Sequence, residues 1–334
     1  MGYNIAQLRE EAKKDPARVI LPEGHEIRVL KAAEKVTSLH IADIILIGKE
    51  EDIKNKAKAN SINIEKVRIV DPAVFSRTQE VIDVYYELVK HKVSSREEAG
   101  DTVLKDPVYF GALLVRMGEA EGFVAGASHT TANVARAAFY GVGLDRNIGT
   151  MSSCFVIEFE NSPYGDKGLF IFGDCGIVPK PNAKRLADIA ISSSKLYKEL
   201  FRREPLVALL SYSTKGSAKG ESVEKIGKAL DLLKSKAPGL IADGELQLDA
   251  AVDPEVAKIK APGSPVAGKA NVLIFPNLDS GNISYKLAQR LGNAGVVGPI
   301  LQGLAKPCSD LSRGCGVEEI VDAVAVIVLR SRRC

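Results

Sequence analysis

Three turns in this chain gather the side-chain types that hold small anions. In GPILQGLAKPCSDLSRGCGVEEIV (298–321), Arg313 stands between Ser312 and Gly314 with Gly316 close behind. A guanidinium, a hydroxyl and exposed backbone N–H groups can therefore converge on one anion there. Glu318 and Glu319 follow in the first turn of a helix expected to begin near Val317. The helix dipole favours acidic residues at that place, so each reads either as a capping charge or as a base. In GFVAGASHTTANVARAAF (122–139) an apolar strand runs into Ser128, His129, Thr130 and Thr131 and then a helix, with Arg136 one turn further in. Free N–H groups and hydroxyls at a helix start suit phosphate or carboxylate, and a Thr there can equally do no more than cap the helix. In FPNLDSGNISYKLAQRLG (275–292), Asn277, Asp279, Ser280 and Asn282 offer polar contacts that ordinary turn chemistry also explains. SYSTKGSAKGES (211–222) is either a flexible solvated loop or one that closes over a phosphate.

Other chemistries lack their signatures. GSPVAGKA (263–270) nearly spells a P-loop, but Ala270 replaces the magnesium-binding hydroxyl and a strand follows where a helix is required. The GVG at 141–143 neither follows an expected strand nor opens a GxGxxG turn, and there is no GxSxG elbow. The four histidines, His25, His40, His91 and His129, are scattered, and the five cysteines, Cys154, Cys175, Cys308, Cys315 and Cys334, contain no CxxC pair. No metal site is expected from such spacing, and the thiols are expected to be free, with Cys308 and Cys315 packed small residues rather than nucleophiles.

The elements that must carry these turns alternate in type. Short apolar runs at 18–23, 43–49 and 66–71 are followed by stretches of helical periodicity such as IRVLKAAEKVTS (27–38). Similar runs return at 122–127, 152–159, 168–173, 205–211 and 271–276. Continuous apolar strands covered by helices on both faces belong to mainly parallel sheets, and ligands bind beyond the carboxyl ends of such strands. The 334 residues exceed one comfortable core, so two α/β domains are expected. With GVGLDRNIG (141–149) and NAGVVGPI (293–300) as hinges, these are 1–148 plus 297–334, discontinuous, and 149–296.

Composition is that of an ordinary globular protein, 46% hydrophobic and 26% charged. The 45 Lys plus Arg against 42 Asp plus Glu leave a formal charge of +3, too even for a nucleic-acid footprint, so any anion is bound locally. No apolar run approaches a membrane span and the amino-terminal stretch lacks a signal-peptide core, so no membrane partner and a cytoplasmic location are expected.

Taken together these stretches resemble the phosphate acetyltransferase (phosphotransacetylase) family from about residue 16 to residue 331. The likeness rests on DPVYFGALLV (106–115), GEAEGFVAGASHTTANVARAA (118–138), SYSTKGSA (211–218), ADGELQLDAA (242–251), SPVAGKANVLIFPNLDSGNISYKLAQRL (264–291) and GPILQGLAKPCSDLSRG (298–314). It implies two α/β domains with an interdomain cleft, usually a homodimer, and the reaction acetyl-CoA + phosphate = CoA + acetyl phosphate. Coenzyme A is then a substrate, and no bound cofactor does the chemistry. Ser312 and Arg313 resemble the family's catalytic serine and substrate-binding arginine, and Arg136 its second cleft arginine. Ser128, Thr130, Thr131 and Asn282 are expected to help bind substrate. The family's catalytic carboxylate falls seven residues after the serine, where this chain has Glu319 in place of the usual Asp, with Glu318 the nearest rival. Lys90 lies where relatives usually carry an arginine, near the middle of a helix, and cannot make that residue's bidentate contact. Two alternatives remain open: a phosphate butyryltransferase acting on a longer acyl group, and a non-catalytic CoA-sensing module of the same fold.

Overall fold

The computed structural model describes residues 5–332, so Cys334 lies outside the described residues. The chain divides into two compact units, one formed by 6–145 with 304–332 and the other by Arg146–Gly303 with Ile5.

The first unit contains α1 (Ile5–Lys13), β1 (Ala17–Leu21), α2 (Ile27–Ser38), β2 (Ala42–Ile47), α3 (Glu50–Ala59), β3 (Arg68–Val70), α4 (Thr78–Val89), α5 (Arg96–Lys105), α6 (Pro107–Arg116), β4 (Gly122–Ala125) and α7 (Thr131–Ala137). Its five strands run β3-β2-β1-β4-β11, all parallel, once the chain has returned as β11 (Cys308–Asp310) and α13 (Val317–Ser331). The carboxyl ends of β1, β4 and β11 thus lie side by side, which is where open parallel sheets bind ligands. α13 is apolar nearly all round, from Ile320 to Leu329, because it packs against α2, β1, β2, β4 and β11 together. A fully apolar helix of that kind must be a buried one. Its Ile327 presses on Gly122, where an added Cβ would lie 2.6 Å from the Ile327 methyl and 2.4 Å from the Pro307 carbonyl.

The second unit contains β5 (Ser152–Glu158), β6 (Leu169–Gly173), α8 (Ala183–Phe201), β7 (Val207–Leu210), α9 (Glu221–Lys236), β8 (Ala242–Leu246), α10 (Leu248–Val252), α11 (Pro254–Lys260), β9 (Val272–Ile274), α12 (Leu278–Arg290) and β10 (Gly295–Gln302). Its strand order is β10-β5-β6-β9-β7-β8. The β6-β9-β7-β8 half is parallel, and β5 runs antiparallel to both β6 and β10. Mainly parallel sheets flanked by helices are therefore what the chain builds, with one antiparallel edge. The stretch 293–300, expected as a hinge, is largely strand: Val296, Val297, Ile300 and Leu301 pair along β5. The chain changes unit after Gly303 instead.

Candidate active site

Construction of the site starts at the end of β1. Glu23 is 1% exposed, and its carboxylate accepts from the backbone N–H groups of Gly126 (2.9 Å), Ala127 (2.8 Å), Ser128 (2.7 Å) and His129 (3.0 Å). The Ser128 hydroxyl donates to it at 2.8 Å, and His129 Nδ1 lies 2.7 Å away. The free N–H groups expected in the turn after β4 are thus already taken by the chain's own carboxylate. Burial opposes the Glu23 charge, but the His129 ring and this set of donors win and hold its pKa down at about 2. His129 is raised in return, first by its bond to Glu23.

The same geometry decides the Ser and Thr residues of that turn. Ser128 gives its proton to Glu23 and faces His25 Nε2 at 3.0 Å, so its hydroxyl braces the loop. Thr130 is the N-cap of α7, its hydroxyl accepting from Asn133 N–H at 3.3 Å, and α7 is only seven residues long before a π-helical turn over Ala138–Val142. Thr131 and Arg136 remain exposed on the helix, with Arg136 Nε on the Ala132 carbonyl at 3.1 Å.

Arg28, in the first turn of α2, joins this turn to the one after β11. Its guanidinium donates to the carbonyls of Ala127 (2.8 Å), Arg313 (2.8 Å) and Cys315 (2.9 Å), and Glu26 holds its Nε at 3.0 Å. With its carbonyl pinned, Arg313 leaves its side chain exposed, and no hydrogen bond or ion pair holds that guanidinium among the described residues. The Ser312 hydroxyl accepts from Gly314 N–H at 3.3 Å, which leaves its own proton free to be donated. Glu319 accepts from Gly316 N–H at 2.8 Å through one carboxylate oxygen. A hydroxyl, an unpaired guanidinium and a carboxylate are therefore carried by one short loop and the first turn of α13.

Of the two glutamates, Glu318 is bound on both sides, by Lys35 at 2.5 Å and Arg9 at 2.8 Å, and these partners lower its pKa. Cys315 is buried and its thiol is pushed up to about 11 by desolvation, so it packs as a neutral small residue. Cys154, Cys175 and Cys308 are likewise buried.

Two other expected binding residues are engaged within their own surroundings. Lys90 is not in mid-helix: it caps α4 at its carboxyl end, exposed, with its ammonium on Glu87 at 2.7 Å. Asn282, on α12 in the other unit, donates from Nδ2 to the Cys175 carbonyl at 3.2 Å and so fastens the loop after β6.

Sequence reasoning passed over Glu23, Arg28 and Asp310. Asp310 ends β11, two residues before Ser312, 1% exposed, and neither carboxyl oxygen has a hydrogen-bond partner among the described residues. A cavity of about 390 Å³ opens beside the loops, beyond the ends of β1, β2 and β3. Ile47, Ile53, Ala73 and Leu104 wall it, and Lys49, Lys56 and His25 stand at it. Among the described residues no group of three or more His, Cys, Asp or Glu is placed to hold a metal ion, and no helix is long and apolar enough to cross a membrane.

The family described as phosphate acetyl/butaryl transferase matches residues 4–328. The chain belongs to this family. It is 46% identical over 328 residues to a phosphate acetyltransferase of Thermoanaerobacterium thermosaccharolyticum, covering 98% of this chain and 99% of the relative. It is 48% identical to one of Acetivibrio thermocellus, covering 98% of each. Among solved structures, a phosphotransacetylase from Streptococcus pyogenes superposes with a TM-score of 0.91 at 38% identity, covering 98% of each chain. The expected enzyme class, an acyltransferase with phosphate acetyltransferase activity, is thereby borne out, as is the α/β fold with a mainly parallel sheet flanked by helices.

Proposed function

We propose that this chain interconverts acetyl-CoA and phosphate with CoA and acetyl phosphate in a ternary complex, using Glu319 as base, Ser312 as oxyanion donor, and Arg313, Arg136 and Thr131 to hold the phosphoryl group. The observation that carries it is the loop 312–316. There Ser312 and Glu319 are fixed to the N–H groups of Gly314 and Gly316, and the Arg313 guanidinium is left without a partner. An unpaired arginine beside a donor hydroxyl and a carboxylate suits incoming phosphate or an acyl phosphate.

In the direction of acetyl-CoA, Glu319 takes the thiol proton of CoA and the thiolate forms a bond to the carbonyl carbon of acetyl phosphate. The developing oxyanion receives the Ser312 proton in a hydrogen bond, and the bond from that carbon to the phosphate oxygen then breaks with its electron pair. Phosphate leaves on Arg313. In reverse, a phosphate oxygen attacks the thioester and the departing thiolate recovers its proton from Glu319. A CoA-type thiol has a pKa of about 8.5, so a positioned base has real work at neutral pH. Because both substrates are held by preorganised donors, no covalent enzyme intermediate is needed.

The nucleotide end of CoA fits the cavity beyond β1–β3, whose size lies within the range of about 300–1,000 Å³ usual for small-ligand sites. His25, which lines that cavity and faces the Ser128 hydroxyl at 3.0 Å, supports a CoA path along the turn after β4. The homodimer is assigned to α12 and its carboxyl cap, where Ile283 (57% exposed), Leu287 (50%) and the capping Leu291 (77%), spaced four apart, form an apolar stripe that a second copy can cover by twofold symmetry. With CoA thioesters as substrates the enzyme works in the cytoplasm.

Release of CoA thiol from acetyl-CoA by the purified protein, dependent on phosphate or arsenate, tests the reaction. Butyryl-CoA in the same assay tests the longer acyl group, and no thiol release from either supports the sensing module instead. Ala73→Trp, filling the cavity, is expected to raise the CoA KM while leaving the acetyl phosphate KM unchanged. Leu287→Glu is expected to halve the mass measured by light scattering.

A further inference from the structure

The carboxyls at the ends of β1 and β11 flank the turn after β4, and the chain treats them in opposite ways. Glu23 receives four consecutive N–H groups of that turn. Asp310 receives none, though it is as deeply buried. Packing around Asp310 is close. Gly126 has φ +115°, and a Cβ there would fall 2.4 Å from Asp310 Oδ1 and 2.6 Å from the Leu311 carbonyl oxygen, so glycine is required for the carboxyl to sit where it does. The polar groups turned toward it are the Thr131 hydroxyl from α7 and the Leu311 N–H, neither at hydrogen-bond geometry, and the charged group acting on it is Glu23. His129 and Arg28 are spent on Glu23 and on the loop carbonyls.

We propose that Asp310 is a positioning residue for phosphate, a neutral carboxylic acid that donates its proton to the Thr131 oxygen and so turns the Thr131 hydroxyl proton outward to the anion. This rests on the assignment of Thr131 and Arg313 to the phosphoryl group. A threonine has one hydroxyl proton. If Asp310 is ionised, that proton turns inward to the carboxylate, and the anion meets a lone pair and a second negative charge behind it. If Asp310 is an acid, its own proton satisfies the Thr131 oxygen and the anion receives a donor. The environment favours the acid: burial raises the Asp310 pKa to about 7 against the pull of Thr131 and Leu311, and the Glu23 charge adds the smallest share. Neighbouring carboxyls whose environments drive their ionisation apart are a recurring way of assigning separate roles.

The test is the KM for acetyl phosphate, an acyl phosphate already fully ionised over the range, measured from pH 6 to pH 8.5 on the intact enzyme. In the unsubstituted protein KM is expected to rise about tenfold as Asp310 ionises, the loss of one charge-assisted donor, with the CoA KM steady. Asp310→Asn, whose amide donates at every pH, is expected to give a low KM that no longer changes with pH. Asp310→Ala is expected to give a high, flat one. Because a core substitution can cost folding, Thr131→Val on the exposed helix start provides an independent arm: a high, flat KM, with Thr131→Ser restoring both the low value and its pH dependence. A KM that rises equally in Asp310→Asn, or is flat without any substitution, overturns the role of Asp310. Absence of thiol release in the unsubstituted enzyme would instead overturn the underlying function, so the two failures are distinct.

Discussion

The two units end their parallel strands in loops of similar composition, rich in Ser, Thr, Gly and cationic residues, yet the loops are finished differently. In the Arg146–Gly303 unit the loop after β7 closes on itself. Lys215 is paired with Asp243, Ser213 and the Gly216 N–H bind Glu245, and Thr214 and Gln247 bond each other at 2.9 Å. Asp243 also takes the Ser264 hydroxyl. The expected flexible loop is therefore a braced one, and its cation is neutralised by the chain. In the other unit the backbone is braced just as firmly, by Glu23 and Arg28, but Arg313 is left unpaired and Ser312 keeps its donor. The difference shows that a site is marked less by polar residues than by polar residues whose partners have been withheld while their backbone is held still.

The sharpest way to break this comparison is at Glu319. Glu319→Gln keeps an acceptor for Gly316 N–H, so the fold should survive while kcat falls about 10²- to 10⁴-fold, the usual worth of a general base. The rival, Glu318→Gln, removes partners of Arg9 and Lys35 and should leave kcat nearly unchanged. Stopped thiol-release kinetics on both variants checks the pair, and the reverse ranking would transfer the base to Glu318.

Arg313 and Lys215 give the next contrast. Arg313→Gln should lower kcat/KM for acetyl phosphate about 10²- to 10³-fold, as removal of a transition-state anion donor does, without moving Tm. Lys215→Gln should do the opposite, lowering Tm because Asp243, 5% exposed, loses its counter-charge, and leaving kcat/KM within about threefold. Equal kinetic losses in the two would mean that the closed loop also handles substrate.

Much of this was legible in the sequence, and the rest was hidden for identifiable reasons. The apolar runs at 43–49, 152–159 and 168–173 became β2, β5 and β6, and α2 occupies the same residues 27–38 that its periodicity gave. β8 was missed because ADGEL carries Asp243 and Glu245 inward, and only their partners at Lys215 and Ser213, some thirty residues upstream, make that burial tolerable. The antiparallel sense of β5 could not be read, since an apolar strand looks the same in either direction. In the site, the SRG loop announced itself by residue type. Glu23 did not, because its donors lie 103 to 106 residues away and nothing local separates LPEGHE from a charged surface turn.

Glu23 also makes the bracing measurable through acid. Its folded pKa of about 2 lies below the ordinary carboxylate value of 4.5, so the stabilisation is fully present above pH 4.5 and is lost as pH falls toward 2. At about 1.4 kcal/mol for each tenfold change in proton affinity, it amounts to about 3 kcal/mol. Glu23→Gln should accordingly lower Tm at pH 7 and show a shallower loss of Tm between pH 4.5 and 2 than the unsubstituted protein. Asp310 has the opposite sign: its raised pKa costs stability as pH climbs from 3.8 to about 7, and Asp310→Asn should remove that cost.

The smallest expected effect is at Lys90, and it separates charge from availability. The position bears a cation where the resemblance expects an arginine, so a count of positive residues would assign it to phosphate. Its ammonium instead lies on Glu87, one helical turn back, at the exposed end of α4, in the manner of the closed loop's Lys215 but without burial. An exposed i,i+3 pair of this kind contributes little, and losing it frees nothing that faces the Arg313 loop. Lys90→Ala should change the KM for acetyl phosphate and for CoA by less than about twofold, measured by initial rates at low ionic strength where any long-range pull is greatest. A larger rise in either KM would show that Lys90 leaves Glu87 for the substrate, and that pairing in the unliganded chain does not by itself disqualify a cation.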